Sequence, residues 1–363
     1  MKRNWLNDKT HGLTILLIFS YSFMHLKLTG QYTAATLDKL VQFNAPLPYG
    51  QRLLVPAIAH FFSLFLPLET YQIFFLLELL INSALFLVLV KLLMEEFKPK
   101  QAQLLSWLFI LLLPLITVVN YRFNMNGGAA FFYPYDSASL LFLTAGFWLC
   151  LRSQWLYYVI LLMVATLNRE TSLLLVLMIP ALHWQNLRAV IKPMFAAALA
   201  YLLVRLCVYL LVHHQAGEFF ELYFRYPYYT HYEVNLIWLW QEEHIFLFLF
   251  CFAGLPLFWF IFFDFIPLQY RPLRYPMLFY FLCLLFFGQL MESRLYMEIA
   301  ALLYLPVCVA IKNWLQEQKP LPAPKAGLLS SINDYAVLVI LAAALLLGKI
   351  LNPLIVYWGS FYH

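Results

Sequence analysis

Charge is what this chain has least of: Asp, Glu, Lys and Arg together make up 11% of its 363 residues. Soluble domains carry about a quarter charged residues, so a soluble globular fold is excluded at the outset. No basic tract is present, which removes nucleic acid as a partner. The familiar catalytic signatures are missing too. No HExxH helix, GxSxG elbow, GxGxxG fingerprint, GxxxxGK[ST] loop or run of histidine ligands occurs, so serine or zinc hydrolysis and nucleotide binding through a glycine loop find no support. The five cysteines, Cys150, Cys207, Cys251, Cys283 and Cys308, lie inside apolar runs without metal-ligand spacing. They read as small buried apolar groups rather than a disulfide framework. No Asn-x-Ser/Thr acceptor occurs, and no internal repeat marks a duplicated carrier.

What remains is apolar: 64% of residues are hydrophobic and 19% aromatic, against about 45–50% apolar in ordinary soluble domains. The expected fold is all-α, a polytopic membrane helix bundle forming one transmembrane domain over 1–363. Apolar windows at 12–29, 70–93, 104–120, 136–151, 154–167, 171–184, 193–213, 245–265, 276–291, 297–311 and 335–357 predict about eleven crossings. The first is expected to be an uncleaved helix, since no small-residue cleavage site follows it closely. The shorter stretch 53–67, opened by Arg52 and carrying Pro56 and His60, is expected to lie in the interface or re-enter without crossing.

Charge asymmetry orients this path, because short cytoplasmic loops gather Lys and Arg. With the N-terminus inside, Lys2, Arg3, Lys9, Lys91, Lys98, Lys100, Arg152, Arg188, Lys192, Arg271, Arg274, Lys312, Lys319 and Lys325 fall on the cytoplasmic side. Most acids fall outside, and the C-terminus is expected outside as well. Three external loops follow, at about 30–51, 120–135 and 214–244, with a proline-bearing cytoplasmic linker at about 312–334. The aromatic residues of 214–244 read first as a headgroup-level belt, the functional alternative being that a few of them form a platform for a sugar or guide a lipid tail.

Asn168-Arg169-Glu170 interrupts a run of apolar residues, where each charge costs roughly 2.5–3.5 kcal/mol at the bilayer centre. Alone it could be a self-neutralising pair. The topology sets it level with Asp38, Arg52, Asp136, Glu292, Arg294 and Glu298, all at the external boundary, which points to a polar site built from five regions. Carboxylates beside arginines suit group transfer from a lipid phosphate: an acid takes the acceptor proton and guanidiniums stabilise the departing phosphate.

One helix, a first external loop with an acid, a short membrane-parallel helix and then a bundle of further helices resembles the GT-C class of polyprenyl-phosphate-sugar-dependent membrane glycosyltransferases. The residues carrying the resemblance are Asp38, Gln51-Arg52-Leu53-Leu54-Val55-Pro56, Tyr135-Asp136, Asn168-Arg169-Glu170-Thr171 and Glu292-Ser293-Arg294. The resemblance implies that Asp38 is the catalytic base. Arg52, Arg169 and Arg294 would bind the donor phosphate, while Asp136, Asn168, Glu170, Glu292 and Glu298 would orient the arginines or the substrate. It implies a lipid-linked sugar donor, a glycan, lipid or protein acceptor, and a bacterial inner membrane. The hard oxygen ligands would suit Mg or Mn, although no coordination set is fixed and no metal site is assigned. The rival expectation is a transporter or lipid flippase using the same charges, for which Glu78, Arg205 and Asp264 are the supporting residues.

Overall fold

A computed structural model describes residues 5–125, 127–128, 130–220, 223–225, 229–239, 244–321 and 335. Among these residues the chain is helical apart from a small antiparallel ribbon, Tyr223–Arg225 with Tyr229–Thr230. The window 335–357, and with it the predicted last crossing and the side of the C-terminus, lies outside the described residues, apart from Tyr335.

The helices are α1 (Trp5–Lys27), α2 (Leu37–Val41), α3 (Leu54–Ser63), α4 (Thr70–Leu93), α5 (Pro99–Pro114), α6 (Tyr121–Asn124), α7 (Asp136–Leu151), α8 (Trp155–Asn168), α9 (Leu173–Leu182), α10 (Leu187–Val212), α11 (His231–Leu239), α12 (His244–Phe250), α13 (Leu255–Ile261), α14 (Arg274–Phe287) and α15 (Met297–Leu315). Four stretches are long and apolar enough to cross a membrane: Thr70–Leu93, Pro99–Asn124, Trp184–Val212 and Ser293–Leu315. The molecule therefore has the character of a helical membrane protein, and eleven crossings are more than these helices show. The reason lies in helix length. The apolar helices α3, α7, α8 and α9 have 10, 16, 14 and 10 residues, so at 1.5 Å per residue they reach about 15–24 Å, short of a roughly 30 Å hydrocarbon core.

Window 245–265 breaks for a local reason. Ala253 and Gly254 take positive φ values of 53° and 70°, and Pro256 opens α13, so the chain turns where an unbroken apolar run was expected. Pro114 has the opposite outcome. Lacking an amide hydrogen, it loosens α5 into a π-helical stretch, Leu115–Asn120, without ending it. Inside that stretch the Ile116 carbonyl accepts the Ser293 hydroxyl at 2.5 Å, which fastens the turn preceding α15.

Side-chain pairs fix the relative directions of the helices. His25 meets Glu78 and Ser22 meets Asn82, so α1 and α4 run antiparallel. Glu78 bonds Ser137 while Glu95 bonds Arg152, so α4 and α7 run parallel. Residues 154–184 form a hairpin: Thr166 meets Ser172, Tyr158 bonds the Leu175 carbonyl, and Trp155 packs on His183. The α3 stretch begins where the Leu53 amide bonds the Leu167 carbonyl at 2.9 Å. It returns the chain to α4 at the same end of the bundle.

Packing separates the helices by role. The Ser293–Leu315 window is 83% buried and forms the centre of the bundle, whereas Trp184–Val212 is 28% buried and lies at its edge. The outer face of α10 shows Leu202, Leu203, Leu206, Leu210 and Leu211, an apolar stripe that water-exposed surfaces rarely carry. Glu78, buried inside, is held by His25 at 2.8 Å, Ser137 at 2.6 Å and Asn82 at 3.0 Å, which is structural pairing.

Candidate functional site

Helix ends rather than helix middles build the site. Asp136 opens α7, Asn168 closes α8, Glu170 and Thr171 form the hairpin tip, and Arg294 sits in the 3₁₀ turn Ser293–Tyr296 that leads into α15. Asp136 is the node, with 1% of its surface exposed. One of its oxygens accepts Arg169 Nη1 at 2.8 Å and the other accepts Arg294 Nη1 at 2.8 Å. Arg169 Nη1 also lies 3.2 Å from Glu298 Oε1, which takes the Thr171 hydroxyl at 2.7 Å. Arg294 donates its Nη2 to Glu292. A second pair lies beside these: Arg52 grips Glu170 with Nη2 at 2.7 Å and Nε at 3.3 Å.

Tyrosines back the arginines. Arg294 lies 3.9 Å from the centre of the Tyr133 ring and Arg52 4.5 Å from that of Tyr135, distances at which a ring face attracts a guanidinium. Tyr49, Tyr133 and Tyr135 stack successively at 5.7 and 5.5 Å. Burial pushes the Tyr135 phenol up to about 12, with Arg52 and then Arg294 pulling it down, so it stays neutral. Burial works against the Arg52 charge, but the Glu170 carboxylate outweighs it and holds the group above the ordinary arginine range.

In front of the cluster lies a cavity of about 260 Å³. Its lining joins the charged Arg52, Arg169, Glu170, Glu292 and Arg294 to the apolar Phe219, Phe220, Phe279, Leu284 and Phe287. Phe220, Phe279 and Phe287 are themselves exposed on the outside of the bundle. A charged lining and an apolar one that includes surface-exposed rings share one cavity, a combination that fits a ligand with an anionic head and a long apolar tail.

The structure brings together Arg52, Asp136, Arg169, Glu170, Glu292, Arg294 and Glu298. Asn168 belongs to the scaffold instead: its buried amide donates to the Tyr135 carbonyl at 2.9 Å and the Ser139 hydroxyl at 3.0 Å, locking α8 to the start of α7. Asp38 stands apart, exposed on the first turn of α2 and outside the cavity lining. Arg205 donates to Gln51 Oε1 at 2.5 Å, a supporting contact. Sequence reasoning missed Tyr133, Thr171, Tyr280 and His231 as members of the site. The alternation Tyr133-Pro134-Tyr135 directly before Asp136 was the available signal. His231 lies in the long loop whose rings had been divided between belt and platform. Among the described residues no group of three or more His, Cys, Asp or Glu side chains is arranged to hold a metal.

No family model matches the chain, and neither a curated protein nor a solved structure matches it.

Proposed function

We propose that the protein is a membrane glycosyltransferase of GT-C type, moving a sugar from a polyprenyl-phosphate donor to an acceptor hydroxyl at the external face of a bacterial inner membrane, with the N-terminus cytoplasmic. The observation that carries this reading is the cavity whose lining combines Arg52, Arg169 and Arg294 with apolar side chains that reach the bundle surface. The phosphate rests against the guanidiniums and the polyprenyl chain leaves past Phe279 and Phe287.

In the transfer, the bond from the anomeric carbon to the phosphate oxygen breaks, the acceptor oxygen bonds to that carbon, and the acceptor proton passes to a carboxylate. The polyprenyl phosphate leaves with one more negative charge. Arg52 holds Glu170 through Nε and Nη2, which leaves Nη1 for that phosphate. Glu292 is the carboxylate best placed for the proton: one oxygen is held by Arg294 and the other makes no hydrogen bond among the described residues. The acids Asp136, Glu170, Glu292 and Glu298 outnumber the three arginines by one, so a divalent ion such as Mg or Mn arriving with the donor would balance the site.

The test is transfer from a labelled polyprenyl-phosphate sugar by the full chain in proteoliposomes. Glu292→Gln lowers the rate about 10²–10⁴-fold, the range for loss of a general base, while Asp38→Asn leaves it near wild type. The reverse pattern returns the base to Asp38. Movement of the lipid or solute without change in its mass, in wild type, would replace the transferase by the carrier.

A further inference from the structure

A second cleft lies at the opposite end of the bundle, where the turn 183–186 between α9 and α10 faces the stretch 268–275 leading into α14. His183, which lies in its wall, contacts the Cys150 carbonyl near the end of α7 at 3.2 Å, far along α7 from Asp136. The cleft measures about 550 Å³. Its cations are Arg271 and Arg274, and neither forms an ion pair among the described residues. Arg271 is 6% exposed. Its Nε and Nη2 reach the carbonyls of Ile266 and Asp264 at 3.0 and 3.3 Å, and Nη1 is buried with no hydrogen-bond partner among the described residues. Arg274 donates Nη2 to the Tyr275 hydroxyl at 3.3 Å, and its Nε is likewise buried without a partner. Both guanidiniums pack on the Phe263 ring, at 4.6 and 5.4 Å.

Two cations held close together, with no acid in ion-pair contact among the described residues, are only partly compensated. Burial pulls Arg271 below the ordinary arginine range, Asp264 offsets this only in part, and Arg274 adds to the fall. The 14-residue α14 starts at Arg274, so the positive end of its peptide dipoles points the same way. Gln185, Asn186 and Gln269 supply further polar groups in the wall. At the rim Trp184, Leu268 and Tyr275 are 60%, 49% and 49% exposed, the amphipathic and apolar groups found where a bilayer meets water.

We propose that this cleft binds a phosphate group, bidentate to Arg271 and Arg274, with the phosphodiester of an anionic phospholipid headgroup or a free phosphate anion as the source. Bound phosphate supplies the missing negative charge and takes up the unused guanidinium hydrogens. Trp184 and Tyr275 cover the glycerol side when the source is a lipid.

The test uses full-length protein in zwitterionic detergent stripped of co-purified lipid. Phosphatidylglycerol and, separately, sodium phosphate are titrated while melting temperature and Trp fluorescence are recorded, with sodium chloride at matched ionic strength as control. Wild type is stabilised by at least one phosphate probe beyond the chloride control. Phosphatidylglycerol acting alone identifies the headgroup as the ligand; inorganic phosphate acting equally identifies the free anion. Arg274→Gln, at a side chain whose only hydrogen bond among the described residues is to a neighbouring exposed tyrosine, keeps the fold and weakens the response about tenfold or more, the value of one charge-assisted pair. Arg271→Lys, which keeps a cation but not the fork, weakens it as well. No shift in wild type with either probe overturns the proposal, as does an Arg274→Gln response equal to wild type.

Discussion

The two cavities at opposite ends of the bundle are both walled by arginines, and they differ in what neutralises those arginines. In the first, Arg52, Arg169 and Arg294 are matched by Asp136, Glu170, Glu292 and Glu298, every contact lying within the salt-bridge range. In the second, Arg271 and Arg274 lean on backbone carbonyls, a tyrosine hydroxyl and a phenyl face. Removing one partner of a buried ion pair is costly because the other charge is left uncompensated, whereas a cation with no ion pair among the described residues can gain one from a ligand. The first cluster is therefore preorganised, with its geometry set before substrate arrives, as charge stabilisation in catalysis requires. The second is a receptor completed by what it binds.

The sharpest way to break this contrast is at the node. Asp136→Ala leaves Arg169 and Arg294 facing each other without their shared carboxylate and is expected to cost about 3–5 kcal/mol. Thermal unfolding in detergent checks it, and a loss below about 1 kcal/mol would remove the claim of preorganisation. Next in size is Tyr133→Leu, which keeps the volume roughly but removes the ring under Arg294. About 2 kcal/mol is expected for a desolvated cation–π contact, with transfer activity falling alongside stability. The Arg52–Glu170 pair is more exposed, its side chains 9% and 24% accessible. A double-mutant cycle with Arg52→Ala and Glu170→Ala should give coupling of about 1 kcal/mol. The smallest effect belongs to the second cavity: without ligand, Arg274→Gln should lie within about 0.5 kcal/mol of wild type, since no ion pair is lost.

Sequence alone shows the first cavity far better than the second. The charges of Asp136, Arg169 and Arg294 interrupt apolar runs, and alternating helix direction is enough to set them at one depth. Pairs of hydrogen bonds set α1 and α4 antiparallel, α4 and α7 parallel, and 154–184 as a hairpin. What the pattern does not carry is distance. Asp38 belongs to the same loop as Arg52, yet the α2 turn holds it on the surface, because Leu37, Leu40 and Val41 take the buried positions of that short helix. Asn168 reads as a site residue beside Arg169, but one position of helical rotation turns it toward α7. The short helices and the break at Ala253–Gly254 escape a hydropathy window, which sums composition and is blind to a positive φ. The sequence shows Arg271 and Arg274 only as orientation charges, because Asp264 precedes them and only packing reveals that it makes no ion pair with either among the described residues.

The most direct measurement is of what occupies the first cavity. A polyprenyl-phosphate analogue bearing a photoreactive group near the start of its chain is incubated with full-length protein in lipid nanodiscs, irradiated and mapped by peptide mass spectrometry. Labels at Phe279, Cys283, Leu284 and Phe287, displaced by unmodified polyprenyl phosphate and lost in Arg52→Ala, are the predicted result. Labelling confined to the outer face of α10, or labels at the cavity that unmodified lipid phosphate does not displace, would contradict the account.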